Sequence, residues 1–460
     1  MTSKFDATAI IERINLGQDS VKNSIEQHLN RLVEYHPKIN GATKIFTEEA
    51  TKQSLKPQKG VLTGLAISVK ECFAMAGGEV TLGSIRMPPI KCNQDAAIVK
   101  KLKEEGAIVV ARTNTSEFLL DRESDNLRFG RTNNWINSSL TCGGSSGGEG
   151  ALVGSGCTAA GIGTDIGGSI RIPSAFNGLV GFKPTSSAVD KTGVYPSSSP
   201  HFAETMNGIG PMARSVRDIR LLYNVMANKS LSFSNNLDGT RLIIPQNFSV
   251  KLHDDSISNA LSISTDGLIK LGLQTEKVEM KVDSGQLYLD YLNIMVDGFL
   301  DKVYEMSITS DGQEFSLFSE IGRKIMGKPT MSKNMFMTTL GCKITKPSAS
   351  RIIKSEENIK RFRMKYREIL GNNGIIILPT LGVLAMPHGK FNALCGKPDI
   401  IQEITPITFC NALDLPAITI PAWKFQKDRN SSPPAVMLIS SPNSEELLLN
   451  VAEVVESIIG

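Results

Sequence analysis

Two glycine-framed clusters of hydroxyl and charged residues carry the chemistry this sequence offers. The stretch Thr141 to Ser174, TCGGSSGGEGALVGSGCTAAGIGTDIGGSIRIPS, sets Ser145, Ser146 and Glu149 among glycines. After a run of small residues it sets Asp165, Ser169 and Arg171 in the same way. Glycine lets backbone turn sharply and approach a ligand closely. Serines framed like this point to a site where main-chain N–H groups face a substrate oxygen. A serine hydroxyl is a weak nucleophile until a neighbour takes its proton, so a base must be found elsewhere in the chain. Metal and phosphate chemistry lack their residues. The histidines at 28, 36, 201, 253 and 388 form no His-x-x-x-His pair, there is no Cys-x-x-Cys, and no glycine-rich segment ends in Gly-Lys-Ser/Thr. No metal and no cofactor is expected.

The elements that must position these residues read as one α/β domain. Apolar residues Ile10, Ile14, Val21, Ile25, Leu29 and Leu32 recur at helical spacing over 7–35. Residues 61–69 read as a strand that delivers Lys70 at its end, 95–105 as a helix opened by Asp95, and 107–111 as a short strand. The small-residue run Ala151 to Gly163 suits a tightly packed helix. Ser215 and Asp218 resemble a capping box for a helix over 216–227. Strands at 242–244, 273–278, 375–378 and 434–440 alternate with helices at 255–271, 351–370 and 444–458. This rhythm predicts a single large domain, residues 1–460, with a central mixed, twisted β-sheet covered by helices on both faces. Within it, 1–60 is an N-terminal helical region, 61–230 a core, and 285–345 a variable segment. That last segment carries Met295, Phe299, Met306, Phe315, Phe318, Met326, Met331, Met335, Phe336 and Met337, which fit either ordinary core or an adaptable apolar pocket. Residues 186–210, rich in Ser, Pro and Gly, read as loop.

Composition narrows the setting. Charge is nearly balanced, +4 over 460 residues, so no nucleic-acid partner is expected; the basic helix 360–367 reads as a solvated face. Seven cysteines without paired spacing fit a reducing compartment. The sequence shows neither signal peptide nor transmembrane stretch, which predicts a cytoplasmic or peripherally membrane-associated protein.

Two readings of the serines compete. Gly143 to Gly147 fits Gly-x-Ser-x-Gly, a nucleophile elbow, with Ser145 attacking and His253 or His388 downstream. The other reading takes both clusters together. Gly143-Gly-Ser-Ser-Gly-Gly-Glu-Gly-Ala-Leu-Val-Gly followed by Gly161-Ile-Gly-Thr-Asp-Ile-Gly-Gly-Ser-Ile-Arg-Ile-Pro resembles the amidase signature family of serine hydrolases. Ser68-Val69-Lys70-Glu71, Gly181-Phe-Lys-Pro-Thr185, Gly210-Pro-Met-Ala-Arg214, Leu378-Pro-Thr380 and Asn411-Ala-Leu-Asp-Leu-Pro416 extend the resemblance over most of the chain.

The resemblance implies the amidase signature fold and a Ser–Ser–Lys triad. Ser169 is then the nucleophile, Ser145 the bridging serine beside a cis peptide, and Lys70 the base. It turns Ile166, Gly167, Gly168 and Ser169 into a run of N–H donors for an oxyanion, with Ser146, Asp165 and Arg171 holding the loop. Glu149, Ile172 and Lys70-Glu71-Cys72-Phe73 look most like the fatty-acid amide hydrolase group. This implies a small, lipophilic amide substrate, with peripheral membrane contact and a homodimer as the associations left open. The alternative is the A subunit of a glutamyl-tRNA(Gln) amidotransferase, a glutamine amidase that needs a partner.

Overall fold

The structure, a computed structural model, describes residues 5–196, 202–306, 316–395 and 404–460. Eleven segments pair into one mixed sheet: β1 (Ala42–Ile45), β2 (Ala66–Lys70), β3 (Ile108–Thr113), β4 (Ala160–Asp165), β5 (Val180–Lys183), β6 (Gly208–Ala213), β7 (Arg241–Gln246), β8 (Gln274–Glu279), β9 (Gly374–Pro379), β10 (Ala417–Pro421) and β11 (Ala435–Ser440). Their spatial order is β1-β3-β2-β4-β6-β5-β10-β11-β9-β7-β8. β2 runs parallel to both β3 and β4, whereas β6, β5, β10 and β11 are linked by antiparallel pairing. Alternation along the strands feeds two faces. Ile67, Val69, Val436 and Leu438 enter one core, while Met437 and Ile439 enter a second and Ala66 a third.

Helices cover both faces. They are α1 (Ala7–Asn15), α2 (Val21–Ile39), α3 (Thr47–Leu55), α4 (Ala97–Glu104), α5 (Gly147–Gly154), α6 (Arg171–Asn177), α7 (Val216–Ala227), α8 (Asp255–Lys270), α9 (Lys281–Met306), α10 (Leu317–Ile325), α11 (Lys333–Ile344), α12 (Ala349–Leu370), α13 (Lys390–Cys395), α14 (Thr405–Leu413) and α15 (Glu445–Ile459). Side chains of α7 and α15 join the first core, those of α9, α12 and α14 the second, and those of α2 and α5 the third. Half of the expected capping box of α7 is present: Ser215 Oγ accepts from Asp218 N, but the Asp218 carboxylate accepts from Ala7 N and Thr8 N of α1.

Several expectations need correction. The helix expected over 7–35 is two helices: Gly17 turns the chain at φ +68°, and Ser20 caps α2 by accepting from Asn23 N at 3.0 Å. Asp95 does not cap α4; its carboxylate accepts from Ala76 N and pairs with Lys103. The run Ala151 to Gly163 is not one helix. It closes α5 and then enters β4, because its glycines serve close approach between layers. A Cβ at Gly161 would lie 2.1 Å from Glu149 Oε2, and one at Gly163 2.9 Å from Ser146 Oγ. In the segment expected as loop, Phe202–Met206 forms a 3-10 turn and Gly208 begins β6. Residues 285–345 divide their apolar side chains between roles. Met331 and Met335 are buried, whereas Phe318, Met326 and Met337 are exposed. Phe315 and the Phe299 side chain lie outside the described residues.

Candidate active site

Three connections bring the candidate residues together. β2 ends on Lys70, the turn before α5 carries Ser145, and the turn between β4 and α6 carries Ser169. Residues two apart on a strand share a face, so Ser68 and Lys70 both point to the side where α5 packs. Lys70 is fully buried. Its Nζ lies 2.7 Å from Ser145 Oγ and 2.9 Å from Thr164 Oγ1, the latter near the end of β4. Burial pushes the Lys70 pKa down from 10.5 to about 8, although Cys72, Asp165, Glu149 and Glu71 pull the other way. An amine held so has a lone pair available within about one pH unit of neutrality.

The Gly144–Ser145 peptide is cis, as the resemblance implied. The Ser145 carbonyl accepts from Thr115 Oγ1 at 2.7 Å and Ser124 Oγ at 3.1 Å. Ser146 N donates to Ser169 O at 3.2 Å, which ties the two serine turns together; Ser146 Oγ is buried and has no hydrogen-bond partner among the described residues. Among the described residues, no histidine hydrogen-bonds Ser145 as the elbow reading requires. Ser145 Oγ meets Lys70, while His388 bonds the Ser138 carbonyl and His253 N bonds Gly382 O.

Asp165 holds the turn that carries Ser169 in shape. It accepts from Gly168 N at 2.9 Å, Ile170 N at 3.2 Å and Arg171 N at 3.3 Å. Arg171, also fully buried, pairs with both its oxygens at 3.0 and 2.9 Å. Burial alone would raise the Asp165 pKa, but the Arg171 charge and hydrogen bonds hold it well below the usual carboxylate range. This corrects one expected donor. The Gly168 N–H is already given to Asp165, whereas the N–H groups of Ile166, Gly167 and Ser169 meet no acceptor among the described residues. Gly168 itself sits at φ +100°, a conformation that favours glycine.

Ser145, Thr164, Ile166 and Ser169 open into a cavity of about 790 Å³ of empty space, mouth included, walled by Phe118, Leu119, Val194, Tyr195, Met295 and Met306. A second cavity of about 670 Å³ adjoins it at Ser169, with Asp121, Tyr291 and Thr338 in its lining. Three contributors were not singled out from the sequence. Thr164 lies inside the quoted motif. Asn411 donates to Asp165 O and Oδ1 at 3.0 Å and accepts from Arg171 at 2.6 Å; it opens a segment that carried the resemblance. Tyr291 donates to Ile166 O at 3.1 Å, and no local pattern marks it. Among the described residues there is no cluster of metal-ligating side chains.

A mixed α/β sheet presenting two serines and a buried lysine beside an apolar cavity suits nucleophilic serine chemistry. The sequence profile of the amidase family matches residues 23–449, and the chain belongs to that family. It is 28% identical over 421 residues to fatty-acid amide hydrolase 2-B of Danio rerio, covering 83% of this chain and 77% of that protein. It is 27% identical over 477 residues to the A subunit of the glutamyl-tRNA(Gln) amidotransferase of Sulfolobus acidocaldarius, covering 96% and 94%. A crystal structure of an amidase superposes with a TM-score of 0.81 at 22% identity, over 99% of this chain and 100% of that one.

Proposed function

We propose that this amidase hydrolyses N-acyl amines, fatty-acid amides among them, through an ester on Ser169. The observation that carries the reading is the 2.7 Å contact between the buried Lys70 amine and Ser145 Oγ, on the wall of the cavity that also holds Ser169. Lys70 takes the Ser145 proton as Ser145 takes that of Ser169, and Ser169 Oγ bonds to the amide carbon. The Ile166, Gly167 and Ser169 N–H groups receive the oxyanion. Ser145 then returns a proton to the nitrogen, the C–N bond breaks and the amine leaves. Water then bonds to the ester carbon, giving its proton to the same path, and the C–Oγ bond breaks as Ser145 returns a proton to Ser169, which releases the acid.

The apolar lining supports a lipophilic acyl group. An exposed apolar face on α10, with Phe318 88% and Ile325 81% exposed beside Arg323, Lys324 and Lys328, supports shallow contact with a lipid surface. No described helix is long and apolar enough to cross a membrane. Similarity over nearly the whole chain to the amidotransferase protein favours the second reading, a glutamine amidase completed by a partner. A fluorophosphonate probe tests the chemistry: it labels wild type and, more slowly, Ser145→Ala, but not Ser169→Ala. Labelling retained by Ser169→Ala and lost in Ser145→Ala would reverse the roles. Hydrolysis of an oleoyl amide by the chain alone supports the first reading; glutamine hydrolysis only with an added partner supports the second.

A further inference from the structure

We propose that two buried carboxylates, Glu117 and Glu71, are positioning residues that fix Phe118 and Leu119 as a rigid wall of the cavity and so set which acyl chains fit. The inference rests on the acyl-amide reading above. Phe118 and Leu119 are consecutive non-glycine residues at φ 53° and 65°, and Leu82, which packs behind them, has φ 48°. Left-handed backbone at non-glycine positions persists only where surroundings over-determine it, and it clusters at ligand clamps. Here the surroundings are two glutamates, both almost fully buried.

Glu71 directly follows Lys70. Its Oε1 accepts from Thr81 N at 2.6 Å and Thr81 Oγ1 at 2.8 Å, and its Oε2 from Leu82 N at 2.8 Å. The Leu82 carbonyl so oriented accepts from Phe118 N at 2.8 Å. Glu117 closes the clamp: Oε1 accepts from Ser84 Oγ and Oε2 from Ser332 N, each at 2.9 Å. The wall is thereby fastened to the 81–84 turn on one side and to the start of α11 on the other. It is joined to the site itself as well, since Ser116 N donates to the Ser145 carbonyl at 3.3 Å. Phe118 and Leu119 both line the cavity that reaches Ser169, so a wall that loosens reshapes the cavity.

A clamp that only stabilised the fold would, when weakened, lower the active fraction for all substrates alike. A clamp that positions the wall changes the ratio between substrates. The test is a series of anilides from butanoyl to dodecanoyl, with kcat/KM measured per active site titrated by fluorophosphonate, on wild type, Glu117→Gln, Glu117→Ala and Ser84→Ala. The expected result is a defined length optimum in wild type. Its preference over chains four carbons longer falls about fivefold in Ser84→Ala, the scale of one lost hydrogen bond, more in Glu117→Ala, which loses two, and less in Glu117→Gln, which keeps an acceptor. Should Glu117→Ala not fold, Ser84→Ala, which removes a single hydroxyl, decides. An unchanged length profile in a folded, fully labelled variant overturns the wall assignment alone. Failure of wild type to cleave every anilide overturns the acyl-amide reading and the wall assignment with it.

Discussion

Replacing Lys70 by methionine should abolish hydrolysis yet make the protein more stable at neutral pH, and the sign of the stability change should reverse in alkali. Lys70 has a folded pKa of about 8 against 10.5 when unfolded. Between those values the unfolded chain binds more protons, so wild-type stability rises with pH across about 8 to 10.5. Below about pH 8 the folded protein carries the whole cost of the buried amine, about 3 kcal/mol. Methionine, similar in length and uncharged, removes that cost. It also leaves Ser145 Oγ and Thr164 Oγ1 without their amine partner, an opposing loss of about 1–2 kcal/mol. The variant should therefore gain about 1–2 kcal/mol at pH 7 and lose about as much above pH 10.5, read by urea unfolding at several pH values. In wild type the same proton sets kcat/KM, which should fall about tenfold per pH unit below about 8. A stability difference of one sign at all pH values, or a rate that stays flat from pH 6 to 9, would refute the account of Lys70 as a base neutralised by burial.

Other outcomes follow from the same geometry. Arg171→Met leaves Asp165 charged and unpaired in a sealed site; unfolding measurements should show a loss of about 3–5 kcal/mol, with fluorophosphonate labelling slowed because the turn carrying Gly168 and Ser169 loses its anchor. Gly168→Ala sets a Cβ 2.4 Å from Ile407 Cγ2 at φ +100°, and kcat should fall by about two orders of magnitude with the anilide KM little changed. Phe318→Glu with Ile325→Glu should weaken sedimentation with anionic vesicles while leaving hydrolysis of a short soluble anilide intact; unaltered sedimentation would dismiss α10 as a lipid-facing helix.

Much of the site was legible because its pattern is local. The turn at 165–171 is held by Asp165 reaching the N–H groups of residues three, five and six further on, so spacing alone carries its shape. The delivery of Lys70 by a strand end was equally readable, although the strand begins at Ala66 and residues 61–64 form a turn. Capping at Ser215 and the strand-and-helix alternation were likewise visible, since both depend on neighbours in the chain. The small-residue run after Val153 misled, because glycines that permit close approach between layers look in sequence like glycines that permit a compact helix.

The sequence by itself determined the candidate side chains and their order, Lys70, Ser145, Asp165, Ser169 and Arg171, because its glycine-framed motifs resemble those of the amidase family; the roles proposed for them rest on that resemblance. Only the tertiary structure decided their state and surroundings. Burial between β2, β4 and α5 lowers the Lys70 pKa from its ordinary 10.5 to about 8. The reach of the Asp165 carboxylate withdraws Gly168 from the donors offered to substrate. Packing of Tyr291, Asn411, Glu71 and Glu117 from segments far along the chain fixes the loop and the cavity wall. Desolvation and long-range hydrogen bonds belong to the folded chain, and no local spacing encodes them.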